Sequence, residues 1–175
     1  MKDGRSVAAT MGFTAVDGLM MGTRCGAIDP GVMLYMMQHH GMDAAALEDL
    51  IYRRSGLLGV SGISSDMREL RASHDPAAKE AIALFVYRIV RELGSLVAAL
   101  GGLDGLVFSG GIGEHDSATR AEVVAGSRWT GAMLEPAQNE GNQGLISADG
   151  SSVAVWVIPT DEERLIASQT AAMLQ

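Results

Sequence analysis

The chain has 175 residues, enough for one domain with a sizeable core and too few for two comfortable ones. Hydrophobic residues make up 47% and aromatics only 5%, so Ala, Val, Leu, Ile and 11 Met must build that core. A net charge of −8 argues against a surface made for nucleic acid or anionic membranes, and the single Cys25 excludes an internal disulfide or a cysteine metal cluster.

Met1–Gly4 reads as a turn, since Lys-Asp-Gly usually joins two hairpin strands, and Ser6–Phe13 has the apolar and β-branched content of a strand following it. Gly18–Asp29 is a glycine-punctuated loop. Asp29-Pro30 then opens a helix that stops at Gly41, with Met33, Leu34 and Met37 on one side. Asp43 caps the next helix, in which Leu47, Leu50 and Ile51 share a face. Leu57–Ser65 reads as a small-residue loop, and Asp66 to Glu69 as the start of a short helix.

Asp75-Pro76 begins the longest predicted helix, which runs to about Leu100 and stops at Gly101-Gly102. Ile82, Phe85, Val86, Ile89, Leu93, Leu96, Val97 and Leu100 recur along it at three- and four-residue steps. Leu106–Ser109 then suits a buried strand, and Gly110, Gly111 and Gly113 a tight turn. Asp116 caps a helix from Ser117 to Ala125 that stops at Gly126. Gly126–Gly150 reads mostly as loop. Val153–Ile158 is a near-continuous apolar run, the pattern of a strand buried on both faces. Pro159 ends it, and Thr160-Asp161-Glu162-Glu163 opens a last helix, with Thr160 and Glu163 at capping-box spacing. Strands alternating with helices predict an α/β layered fold. No apolar run reaches membrane-spanning length and Met1–Arg5 is no signal peptide, so the sequence predicts a cytoplasmic protein.

Several residues suit charge handling, and each has a plainer reading. Arg24, in a loop crowded with glycines, could aim its guanidinium at a phosphoryl group, or could be an ordinary solvated arginine. Asp66 and Arg68 flank Met67 as an acceptor and a donor fork beside an apolar side chain, a set that could hold a nucleoside. Asp66 could equally serve the helix dipole. Glu162 lies just past a predicted strand, where a carboxylate could hold Mg²⁺ beside a nucleotide. The strand–glycine–helix passage around Gly111 could face a nucleotide or simply turn the chain. His39, His40, His74 and His115 have no metal-ligand spacing, and Cys25 reads as a packed residue.

Together these motifs resemble the C-terminal half of the acetate kinase (acetokinase) family, within the sugar kinase, Hsp70 and actin superfamily. The matching stretches are Met11–Asp29, Ser55–Arg68, Val107–Glu114 and Val157–Glu163. The resemblance implies a ribonuclease H-like α/β fold over residues 1–175, truncated at its first strands and lacking an N-terminal domain. It implies phosphoryl transfer between ATP/ADP and acetate/acetyl phosphate, with Mg²⁺, for which Mn²⁺ can substitute, and a homodimer joined through this half.

By the same resemblance Arg24 stabilises the transferring phosphoryl group, and Asp66, Met67 and Arg68 form the adenosine-side loop. Gly111, Ile112, Gly113, Glu114 and His115 form a second nucleotide loop, and Glu162 serves metal and catalysis. His115 departs from the family's usual Asn. With the family's acetate pocket absent, the expectation is that the isolated chain does not catalyse. The alternatives are a non-catalytic remnant that dimerises or binds nucleotide, and a butyrate or propionate kinase.

Overall fold

The computed structural model describes residues 1–142 and 144–174, with Glu162 described in its backbone only. The chain divides into two compact units, Met1–Gly102 and Leu103–Gln175.

The first unit begins with the expected turn. Lys2 N–H donates to Arg5 O at 2.8 Å and Arg5 N–H to Lys2 O at 2.9 Å, with Asp3 and Gly4 both at positive φ. The strand expected at Ser6–Phe13 does not form. No strand among the described residues pairs with it, and without ladder hydrogen bonds its residues stay solvated, Phe13 completely so.

Helix α1 (Pro30–His40) has the predicted bounds, with Asp29 accepting from Gly31 N–H at 2.8 Å and Gly41 in the left-handed conformation. None of its residues is buried, and Leu34 and Met37 face solvent. In α2 (Ala44–Arg53) Asp43 accepts from Ala46 N–H, and Leu47 is buried. The loop expected from Leu57 contains a helix, α3 (Gly56–Ser61), closed by Gly62. Its two glycines, Gly56 at the first position and Gly59 inside, argue against a helix by propensity. Burial overrides them: Leu57 is fully buried where α3 packs on the long helix α5 (Pro76–Leu100). Helix α4 (Met67–Ala72) packs on α5 as well. Asp75 caps α5 at Ala77 N–H, and Ala78, Ala81, Ile82, Phe85 and Leu93 form its buried stripe.

The second unit is built on two parallel strands, β1 (Gly105–Phe108) and β2 (Ala154–Val157), with Leu106 opposite Val155 and Phe108 opposite Val157. Strand β2 is not buried on both faces as predicted. Val153, Val155 and Val157 point inward while Trp156 is 39% exposed, the alternation of a strand covered on one side. Val124, Ala132, Ile146 and those valines make the core, with Leu106 and Phe108 packed against it.

The glycine turn is itself helical, forming α6 (Gly110–His115), and Asp116 caps α7 (Ser117–Gly126) by accepting from Thr119 N–H at 3.0 Å. The segment expected to be mostly loop carries a 3₁₀ turn at Arg128–Thr130 and a short α8 (Pro136–Glu140). It also places Ile146 beside β2, its N–H donating to Val155 O at 2.8 Å. The last helix, α9 (Glu162–Met173), is capped by Asp161 rather than Thr160.

Candidate functional site

In the second unit the chemistry-bearing residues gather beyond the carboxyl ends of β1 and β2, the side of a parallel sheet where ligands characteristically bind. After Phe108 the chain turns through Gly110 at φ 71°, a conformation that favours glycine. Glu114 lies one helical turn further and folds back. Its Oε1 accepts from Gly110 N–H at 2.8 Å, from Thr160 N–H at 2.9 Å and from Thr160 O–H at 2.7 Å. The Thr160 hydroxyl also accepts from Gly110 N–H at 3.0 Å.

These bonds favour the ionised carboxylate, the Thr160 hydroxyl most of all, and hold the Glu114 pKa below its ordinary value. The predicted Thr160–Glu163 capping box is therefore not made. Thr160 serves the α6 loop instead, and Asp161 accepts from Arg164 N–H at 3.0 Å to start α9. Sequence reasoning missed Thr160; its place directly after Pro159, at the end of an apolar strand, was the available signal.

Of the nominated residues in this unit, Ile112 is half-buried and His115 exposed. A side chain on Gly113 would touch Phe108 at 3.4–3.7 Å, so that glycine sits close against the strand. Gly110 and Gly111 differ: a Cβ built on either meets nothing within 4 Å, and their backbone borders open space. Glu162 begins α9, two residues after Thr160. Its side chain lies outside the described residues.

In the first unit Arg24 stands on a loop fixed to the junction of α2 and α3. Met21 N–H donates to Arg24 O at 3.1 Å, Ser55 N–H to Thr23 O at 2.9 Å, and Leu57 N–H to Met21 O at 2.9 Å. Gly56, at φ 64°, sits so close that any side chain there would collide with Met21 O. The Arg24 Nη1 donates to Ala15 O at 3.2 Å, and the guanidinium lies 5.9 Å from the centre of the Tyr52 ring.

The same loop meets the segment leading into α4, where a side chain on Gly22 would lie 3.0 Å from Ser65 O. Asp66 and Arg68 hold each other, with Nε–Oδ1 at 3.1 Å and Nη2–Oδ2 at 2.5 Å. The Asp66 carboxylate also accepts from Arg68 N–H, and these bonds lower its pKa to about 2. Met67 between them is 4% exposed, so its side chain is core. Cys25 donates its S–H to Gly26 O, and burial pushes its pKa up, as for a packed thiol.

Among the described residues no three His, Cys, Asp or Glu come together as a metal cage, and no helix is long and apolar enough to cross a membrane.

The sequence model of the Acetokinase family matches residues 1–168. An acetate kinase of Rhodopseudomonas palustris is 62% identical over 165 residues, covering 93% of this chain and 42% of that protein. One from Methylocella silvestris is 54% identical over 174 residues, 99% of this chain and 43% of the relative. Among solved structures, Porphyromonas gingivalis acetate kinase superimposes with a TM-score of 0.87 at 44% identity, over 95% of this chain and 43% of that one. A propionate kinase from Francisella tularensis does so with a TM-score of 0.84 at 36% identity, over 90% and 41%. The chain thus spans about two-fifths of the length of these relatives.

Proposed function

Because this chain belongs to the acetokinase family, we propose that it forms the nucleotide-facing part of a carboxylate phosphotransferase with an actin-like ATPase fold, one that converts ATP and acetate to ADP and acetyl phosphate. The reaction breaks the bond from the γ-phosphorus to ADP and forms one to an acetate oxygen. The acyl pocket is then the work of residues outside these 175. The observation that carries the reading is the open backbone at Gly110 and Gly111, beyond the ends of two parallel strands and clamped by Glu114 and Thr160.

In this reading Gly111, Ile112, Gly113, Glu114 and His115 line the nucleotide. Glu114 acts through its hold on Gly110 and Thr160. Asp66, Met67 and Arg68 form the adenosine-side loop, in which Arg68 and Asp66 are oriented by each other and Met67 anchors them in the core. Arg24 neutralises charge on the transferring phosphoryl group. Phosphoryl transfer depends mainly on positioning and charge stabilisation, and a guanidinium on a pinned loop supplies both.

A Mg²⁺ site needs only one or two carboxylates beside phosphate oxygens, so a single carboxylate at Glu162 fits that ion better than it would fit an all-protein cage. When bound, the cation neutralises phosphate charge. Glu162 is proposed both as its ligand and as a catalytic carboxylate. A butyrate or propionate kinase is a second reading: a propionate kinase shares this part of the fold, and the acyl chain is chosen by the pocket outside these residues. A cytoplasmic location and a homodimer through α5, where Leu84 and Tyr87 are exposed, complete the proposal.

The test is ADP binding by the purified chain, compared with a Gly111→Leu variant. Leucine at 111 enters open space and a helical backbone, so thermal stability should hold while ADP binding weakens by about tenfold or more. Unchanged binding in the variant would remove Gly111 from the nucleotide site. Acetyl phosphate formation from acetate and Mg·ATP, trapped with hydroxylamine and checked against Arg24→Ala, then tests the chemistry. Arg24-dependent product from this chain alone would show that no further residues are required.

A further inference from the structure

Arg120, on α7, is fully buried, although nothing in its sequence context distinguishes it from a surface arginine. Among the described residues its hydrogen-bond partners are neutral oxygens. Nε donates to Asn139 Oδ1 at 2.8 Å, and Nη1 to Gly113 O at 2.9 Å and Glu114 O at 3.0 Å. Nη2 donates to Asn139 O and to Asn142 Oδ1. A guanidinium has five N–H groups, and here each has an acceptor. Burial alone disfavours the charge and lowers the pKa, while the nearby Asp116 carboxylate acts in the opposite sense. A buried cation is tolerated only when it is fully bonded in this way.

The contacts explain why a cation sits there. Helix α6 is six residues long and runs straight into α7 through Asp116, with no left-handed glycine to satisfy its last carbonyls. Asp116 N–H takes Ile112 O, and Arg120, one turn into α7, takes Gly113 O and Glu114 O. A positive charge at a helix C-terminus also suits the helix dipole. The same guanidinium reaches the last turn of α8 through Asn139, whose Nδ2 donates to Ser117 O at 2.9 Å.

We propose that Arg120 is a positioning residue that fixes the Gly110–His115 segment for nucleotide, held in place by Asn139 and Asn142. The inference rests on reading that segment as nucleotide-facing. The segment is then clamped at both ends, at its start by Glu114 and Thr160 and at its end by Arg120, with the open backbone of Gly110 and Gly111 between them. Lysine cannot replace Arg120, because the three donors of an ammonium, all on one nitrogen, cannot reach the five acceptors that the guanidinium fork serves.

Two variants test this. Arg120→Lys keeps the charge and loses the fork. Asn142→Gly removes one acceptor at a residue with φ 50°, a backbone that glycine adopts without strain. Amide exchange, read by mass spectrometry, should quicken by about tenfold across Gly111–Asp116 in Arg120→Lys and remain unchanged in Leu106–Phe108 and Val155–Val157. The dissociation constant for a fluorescent ADP should rise by about tenfold, with some fall in melting temperature because lysine leaves buried acceptors unpaired, and Asn142→Gly should move exchange and affinity the same way by less.

Folded variants with unchanged α6 exchange would overturn the proposal. So would exchange that rises equally in α6, β1 and β2, the behaviour of an ordinary core residue. If Arg120→Lys does not fold, Asn142→Gly decides by the same criteria. If the unmodified chain binds no ADP, the nucleotide reading fails, and α6 exchange still decides whether Arg120 fixes the segment.

Discussion

At the scale of single residues, the site is organised by carboxylates that do local work. The Asp66 pKa lies at about 2 against an ordinary 3.8, chiefly because Arg68 donates to it from both side chain and backbone. A depressed pKa means that the pair's contribution is complete above the unfolded value, near pH 4, and is lost as pH falls through about 2. An NMR titration of the Asp66 carboxyl should therefore find its midpoint near 2, and Arg68→Ala should move it up toward 3.8. Glu114 is lowered for a different reason, the Thr160 hydroxyl first and the Thr160 amide second. Thr160→Val removes the first and should raise the Glu114 midpoint toward 4.5, whereas an unmoved midpoint would mean that the hydroxyl does not hold this carboxylate in solution.

Elements were legible from sequence where local chemistry and tertiary packing agree. Helix α5 has the predicted bounds because Asp75-Pro76 and Gly101 are strong terminal signals and because its apolar spacing matches the stripe it buries. Helix α3 was not legible. Its glycines read as a loop, and only the surroundings show why one of them is required: at φ 64°, Gly56 lets the backbone of the Arg24 loop come within reach of α3. Gly56→Ala combines a left-handed backbone with a collision at Met21 O, so it should destabilise the chain by about 1–3 kcal/mol in urea unfolding. A neutral result would mean that the loop moves aside freely, and Arg24 would then lack a rigid support. The clamps on α6 were hidden for a related reason. Thr160 matches a capping box that tertiary contacts override, and no periodicity marks Arg120 as buried.

At the scale of the whole molecule, the apolar surface of the first unit stands out against a net charge of −8. Val7, Met11 and Phe13 are exposed on a segment with no ladder partner among the described residues, and α1 presents Leu34, Tyr35 and Met37 to solvent. The caps expected for α1 are made and the strand expected at Ser6–Phe13 is not, and burial of either stretch needs a covering surface that the described residues do not supply. Extended apolar segments with unpaired amides are templates for pairing with other chains. The chain should therefore self-associate at micromolar concentration, and a Val7→Lys/Phe13→Lys double variant should lower that association in light scattering or sedimentation. The choice of lysine separates two causes. Added positive charge brings the net charge nearer zero, which by itself favours association. Reduced association in the double variant would thus identify the apolar segment as its source, while unchanged or increased association would place the contact elsewhere, with α1 the next surface to alter.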